Sequence, residues 1–253
     1  MAVNRFNYFS PSNNLKYCGS SQFKAFLKCP AQAMAELRGE WKREETSALL
    51  IGSYVDAWFE GTLEQFKAEH PEILKRDGTL KAEFVRADEI IARVSRDELF
   101  MRYMDGQKQA VRTGEIEGVP FKIKMDSYHK GKAIVDLKVI KDFEPLWNED
   151  RAIRQDFIQY WGYDYQAAIY QAIEGNRLPF YICAVTKETV PDFKVIQIPQ
   201  TWIDSAMAVI KNEIGIIDAY KRGELEAPRC EKCAYCRQTK KLSRVRSADE
   251  FIV

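Results

Sequence analysis

The chain has 253 residues, 46% hydrophobic and 30% charged, with a formal net charge of +1, which is the balance of a globular protein with a sizeable core. No apolar run nears the roughly 20 residues that span a bilayer, and residues 1–6 lack the apolar stretch of a signal peptide. A cytoplasmic protein with no membrane partner is therefore expected, in which six cysteines read as thiols or metal ligands rather than disulfides.

The first ten or so residues read as an extended lead-in, part of a segment 1–19 ahead of the first helix. Ser20 or Ser21 can cap a helix whose apolar positions Phe23, Phe26 and Leu27 recur at helical spacing. Cys29-Pro30 interrupts it, and residues 31–38 resume with Ala33, Met34 and Leu37 on one side. Thr46 starts another helix through Leu50, Val55, Trp58 and Phe59, ended near Gly61. Pro71 and Asp77-Gly78 mark loops. A charged helix over about 81–104 follows, with Phe84, Ile91, Val94 and Leu99 as its buried stripe. The period then becomes alternating, and 111–116, 119–128 and 133–140 predict three successive antiparallel strands. Their turns fall at Glu117-Gly118 and around Gly131. A long helix over 153–174, strands at 179–186 and 193–198 and a helix over 201–222 come next. A cysteine-rich basic tail, 226–253, closes the chain. The order predicts one α/β domain over 1–253, a central sheet of about five strands with helices packed around it.

Folding back about Gly131 sets Asp126 and Asp136 nearly opposite each other on neighbouring strands. Cross-strand neighbours have Cβ atoms roughly 5 Å apart, so the two carboxylates could grip one divalent cation. Without a cation they repel, and one must take up a proton. Lys138 shares a strand face with Asp136. The strand around them is apolar on both faces, so it is expected to be central. A buried carboxylate beside a lysine is costly unless paired or metal-bound. Two acids and an ammonium on one patch suit metal-assisted phosphodiester hydrolysis, although Asp-x-Lys alone also describes a surface salt bridge.

Gly52 lies one helical turn before a third carboxylate, Asp56, and its missing side chain would let a ligand approach the backbone. Gln166 and Tyr170 are four apart and share a helix face, which equally suits packing. From Arg229 to Arg246 seven Lys or Arg residues stand against one acid, and six lysines lie between Lys122 and Lys141. Such local basicity fits a phosphate-backbone binder as well as a solvated face. Lys122, Lys124, Lys240 and Lys241 are the candidate DNA contacts. Cys230, Cys233 and Cys236 crowd three thiols into seven residues, the dense spacing of Zn²⁺ or iron–sulfur ligation. Cys29 is the expected fourth ligand, with Cys18 as the alternative, and Cys183 reads as core. Two histidines leave few parts for a histidine metal centre or an acyl-transfer triad, and no P-loop or dinucleotide fingerprint is present.

Together Gly52 through Asp56, Asp126, Asp136-Leu137-Lys138, and Gln166 through Tyr170 resemble, in order, the motifs of the PD-(D/E)xK nuclease superfamily. The likeness is to its RecE-like and RecB-like exonuclease branch, and Ser20 through Pro30 resembles that group's first helix. The resemblance covers about residues 20–240 and implies a restriction-endonuclease-like fold with a mixed central sheet. It implies Mg²⁺ or Mn²⁺ held by Asp126 and Asp136, with the Leu137 carbonyl as an extra ligand and Asp56 completing that site or a second one. Asp56 stands where the RecB-like branch commonly carries histidine. In this resemblance Lys138 orients or deprotonates water, and Gln166 and Tyr170 position Lys138 or DNA. The implied activity is exonucleolytic attack on duplex DNA ends, 5′ to 3′, leaving single strands for an annealing protein, with a homo-oligomer as one possible assembly. Relatives that staple an N-terminal cysteine to a C-terminal cluster imply a 4Fe–4S centre, with Zn²⁺ as the alternative. A single-strand or flap-directed nuclease, and a non-catalytic DNA-binding module, are the competing expectations.

Overall fold

The computed structural model describes residues 2–43, 46–149, 151–242, 244–245 and 247–251. The N-terminal part is helical: α1 (Pro11–Lys16), α2 (Ser20–Lys28), α3 (Pro30–Leu37), α4 (Ser47–Glu60), α5 (Leu63–Glu69), α6 (Ala82–Val94) and α7 (Glu98–Met104). Three strands follow, β1 (Gln107–Ile116), β2 (Val119–His129) and β3 (Ala133–Ile140). A small hairpin of β4 (Leu146–Asn148) and β5 (Ile153–Gln155), then α8 (Phe157–Tyr160) and α9 (Tyr163–Glu174), leads back to β6 (Phe180–Thr186). Beyond it lie β7 (Phe193–Gln197), α10 (Gln200–Arg222) and α11 (Ala234–Gln238). No helix among the described residues is long and apolar enough to cross a membrane.

The main sheet has the order β1-β2-β3-β6-β7. β3 and β6 pair in parallel and the other neighbours are antiparallel, so the mixed five-stranded sheet is as expected. The period of two sorts its side chains between two cores. Ile134, Ile182 and Ala184 join residues of α2, α3, α9 and α10 on one face. Val135, Leu137, Cys183 and Val185 join α4, α6 and α7 on the other. Helices on both faces explain why β3 is apolar almost throughout. Burying each such Val or Leu contributes roughly 1.5–3 kcal/mol, so charged residues in the same row stand out.

Three expectations are corrected. The lead-in contains α1, started by Ser10, whose hydroxyl accepts from Asn13 N at 3.4 Å, with Pro11 in the first turn. The helix expected over 81–104 is two helices, because the Asp97 carboxylate accepts from Phe100 N at 2.8 Å and caps a new one. The new start resets the helical phase, so Phe100 and Met104 are buried while Leu99 is exposed. The helix expected over 153–174 is likewise divided. Residues 153–155 pair with 146–148, Asp156 caps α8, and Gly162 at φ +64° separates α8 from α9.

Candidate active site

The site grows from the hairpin of β2 and β3. Their register pairs Ser127 with Val135, Tyr128 with Ile134 and His129 with Ala133. The next rung would set Asp126 against Asp136, and there the ladder stops. Instead, Leu137 N donates to Asp126 Oδ2 at 3.0 Å. The β1–β2 register also skips the rung at Asp126, where Gln109 takes a left-handed φ of +52°. That turn aims the Gln109 side chain inward, with Nε2 3.4 Å from Asp126 Oδ1. Two ladders thus open beside one carboxylate, which leaves backbone and side-chain oxygens available to a ligand.

Asp136 is buried, and its Oδ1 accepts from Gln166 Nε2 at 2.6 Å. Its Oδ2 meets the Lys138 ammonium but has no hydrogen bond of good geometry among the described residues. Lys138 Nζ also lies 4.8 Å from the Tyr163 ring centre. Tyr170, one turn beyond Gln166, donates its hydroxyl to Lys124 O at 2.9 Å and ties α9 to β2. Gln166 therefore orients a carboxylate, while Tyr170 fixes the helix that carries it.

Asp56 comes from α4, and its electrostatic partners identify the same place. Burial raises its carboxyl to about 7; Lys138 pulls it back, and Asp136 and Glu60 push it further. Burial, then Asp136 and Asp56, raise Asp126 well above the usual carboxylate range, against Lys138 and the Leu137 N–H. Burial alone would lower Lys138, but Asp136, Tyr163 and Asp126 together outweigh it and hold the ammonium above the ordinary lysine value. Three acids and one lysine cannot all be ionised here without a further positive charge.

A hard divalent cation fits this donor set. Carboxylate and amide oxygens are the ligands Mg²⁺ and Mn²⁺ prefer. Gln109 Oε1 is buried with no hydrogen-bond partner among the described residues, so it offers one more oxygen. Sequence reasoning missed Gln109, since nothing in the pattern marks its positive φ. It also missed Tyr163 and Lys24. Burial and then the charge of Lys138 bring Lys24 down to about 8; its Nζ donates to Trp161 O at 3.1 Å and lies 5.0 Å from the Tyr163 ring centre. Lys24 sits on α2, and only the packing of α2 against α9 brings it near β3.

The candidate DNA lysines divide. Lys122 is only 2% exposed, and its ammonium donates to Tyr8 O and, at 2.6 Å, to Asn14 Oδ1, so it holds the N-terminal segment rather than facing DNA. The Tyr8 turn and α1 cover it, which alternation along β2 could not disclose. Lys124 is half-buried beside Phe9, Lys240 pairs with Glu231 at 3.3 Å, and Lys241 is exposed.

The four cysteines also converge, with sulfurs all within 4.8 Å of one another. Cys29 Sγ is 3.6 Å from Cys236 Sγ and 3.7 Å from Cys233 Sγ, and Cys230 Sγ is 3.9 Å from Cys236 Sγ. Backbone N–H groups aim at three of them: Gln32 N at Cys29, Cys233 N at Cys230 and Cys236 N at Cys233, at 3.5, 3.4 and 3.4 Å. Burial opposes a thiolate at Cys230, but the Lys232 and Cys233 N–H groups and neighbouring thiols bring it down to about 6. Cys18 lies apart, bonded to Gly19 O and buried, and Cys183 is core.

A family described as a PDDEXK-like domain of unknown function (DUF3799) matches residues 19–239. A crystal structure from Eubacterium rectale, described in the words "putative exonuclease", matches with a TM-score of 0.94. It is 43% identical, and the match covers 100% of this chain and 98% of that one. No curated protein matches the sequence.

Proposed function

The chain belongs to the PDDEXK-like family, a nuclease type of domain, and from that premise we propose that it is a Mg²⁺- or Mn²⁺-dependent exonuclease acting on duplex DNA ends. The observation that carries this reading is the meeting of Asp56, Asp126 and Asp136 with Lys138, where the acids can all be ionised only with an added cation and otherwise keep protons. The neighbour's description supports exonucleolytic action.

Asp126 and Asp136 would hold the ion, with Asp56 and Gln109 Oε1 beside them. The ion supplies a Lewis acid at the scissile phosphate and lowers the pKa of water bound to it. Leu137 N–H and Gln166 Nε2 each fix one carboxylate oxygen, while Gln109 Nε2 faces the other oxygen of Asp126 and the Lys138 ammonium the other oxygen of Asp136. Such outer partners typically carry 10–100-fold in metal affinity or activity. In the metal-free site the surrounding acids hold the Lys138 ammonium protonated. Beside the ion it would orient or deprotonate the attacking water and offset the charge of the phosphorane. The 5′ to 3′ direction, the supply of single strands to an annealing protein and a homo-oligomeric assembly belong to the same proposal. Incubation with linear and circular duplexes plus Mg²⁺ tests it. Loss of the linear duplex alone, prevented by EDTA, is expected, and retained cleavage by Lys138→Ala would refute the site.

The four thiols fit a single tetrahedral ion. Zn–S bonds of about 2.3 Å place sulfurs roughly 3.8 Å apart at the corners of a tetrahedron. Three of the spacings, 3.6, 3.7 and 3.9 Å, match that edge, and all lie within 4.8 Å. A 4Fe–4S centre binds each thiolate to a different iron and needs a wider cage, so Zn²⁺ is the proposed occupant. Its part would be to staple the tail to the N-terminus of α3, where Ala31 N already donates to Pro228 O at 3.1 Å.

A further inference from the structure

Two cavities meet at Phe9. One, of about 480 Å³, is the mouth of the candidate active site, with Asp56, Gln109 and Lys124 on its wall and Phe6 and Phe9 at its edge. The other, of about 580 Å³, runs from Phe9 along α2 and α3 to Arg38, Trp41 and Lys42. Phe9 lines both, so a strand that leaves the mouth over this ring reaches the second cavity, whose far end is at Trp41, braced edge-on by Tyr235 at 5.5 Å.

The rings at the junction are exposed, Phe6 by 84% and Phe9 by 67%, yet the turn that carries them is held on several sides. The Tyr8 hydroxyl donates to Lys122 O at 3.1 Å, and the buried Lys122 ammonium donates back to Tyr8 O. Asn4 Oδ1 accepts from Phe6 N at 2.9 Å and from Asn7 N at 3.2 Å. Burying an ammonium to fix a turn that shows two bare rings to water makes no sense for stability alone. Each ring also has a cation beside it, Arg5 at 4.6 Å from Phe6 and Lys124 at 5.1 Å from Phe9.

Glu36, Glu60 and Glu69 also line these walls. The exposed rings nevertheless have cations near them, Arg5 at Phe6, Lys124 at Phe9, and Arg38 and Lys42 in the cavity of Trp41. Flat faces beside positive charges suit the bases and phosphates of an unpaired strand. Within a duplex the base faces are already stacked, and an end offers only the outer face of its last pair, too little for rings spread from Phe6 and Phe9 to Trp41. We propose that the two cavities form a track for single-stranded DNA. Phe6 and Phe9 stack bases at the mouth of the site, and Trp41 with Arg38 and Lys42 holds nucleotides farther along. The track deepens the nuclease reading, which supplies the reason for a strand to arrive there, but its occupancy needs no catalysis.

The test uses the full chain in EDTA, with fluorescence anisotropy of a labelled oligothymidine and of a blunt hairpin duplex. Phe9→Ala is expected to weaken oligothymidine binding about tenfold, the size of one lost base–aromatic stack. Arg38→Glu combined with Lys42→Glu should weaken it further and flatten its salt dependence by about 0.7 for each lost phosphate contact. The exposed Val190→Ala, away from both cavities, serves as control and should change nothing. Phe9 is largely exposed, so its truncation leaves the core intact, and a melting curve checks that. Unchanged oligothymidine affinity in both cavity variants, or equal losses for the blunt hairpin, would overturn the track. Turnover of bis(4-nitrophenyl) phosphate by the unaltered protein with Mn²⁺ reads the metal site separately. A protein lacking that turnover but losing oligothymidine binding in the variants keeps the track and loses the nuclease.

Discussion

The metal-free protein should lose stability as pH rises from about 4 to about 7, and Mg²⁺ should cancel that loss. Asp56 titrates at about 7 in the folded chain and near 3.8 when unfolded. Between those values the folded state holds the extra proton, so stability falls as pH rises and is lowest above the folded pKa. At about 1.36 kcal/mol per pH step, ionising this one carboxyl costs on the order of 4 kcal/mol, and Asp126 shifts in the same direction. For a chain of this size about 1 kcal/mol moves Tm by roughly 2–4 °C, so a drop of roughly 10 °C is expected in EDTA. Cys230, held down at about 6, contributes with the opposite sign and cannot imitate the effect. Scanning calorimetry at pH 5, 6, 7 and 8, in EDTA and in excess Mg²⁺, measures it. The ion binds only the ionised acids, so its stabilisation should be small at pH 5 and large at pH 8. Asp56→Asn should flatten the EDTA curve. A Tm in EDTA that is level or rises toward pH 8, or equal stabilisation by Mg²⁺ at both ends, would refute the electrostatic account of the site.

Other outcomes follow from single contacts. Gln166→Leu removes the donor to Asp136 Oδ1 and should lower Mg²⁺ affinity or activity by about 10–100-fold while leaving the fold intact; isothermal titration with Mg²⁺ reads it, and unchanged affinity would count against the orienting role. Gly52→Ala should raise stability by about 0.5–1 kcal/mol, because a Cβ there meets nothing within 4 Å. If DNA uses that space, cleavage falls as Tm rises, and full activity would free Gly52 of any role. Cys236→Ser should abolish bound zinc in a metal assay and expose the tail to protease, whereas unchanged zinc content would exclude Cys236 as a ligand. Lys138→Ala should bind duplex in Ca²⁺ yet leave it uncut in Mg²⁺, and measurable cutting would remove Lys138 from the chemistry.

The hairpin was legible because its information is local. Alternation over residues 119–140, a glycine at φ +69° between the strands and an acid on each arm define register without any distant contact. Element boundaries were less legible where one polar side chain outcompetes helical continuation. Asp97 and Asp156 each cap a new helix inside a stretch whose apolar spacing looks unbroken. Lys122 shows a further limit, since strand alternation tells which face a residue takes but not what covers that face.

By itself the amino-acid order determined the two strands that carry Asp126, Asp136 and Lys138, the central position of β3 and the density of thiols in the tail. The tertiary structure alone decided that Gln109 and Lys24 join Asp56 around those acids, that Cys29 rather than Cys18 closes the thiol set and that the Phe9 turn overlooks the mouth. Periodicity and turn chemistry act between residues a few positions apart. The field at a carboxylate, and the fourth corner of a tetrahedron, depend on whatever lies within a few ångströms, however far away along the chain.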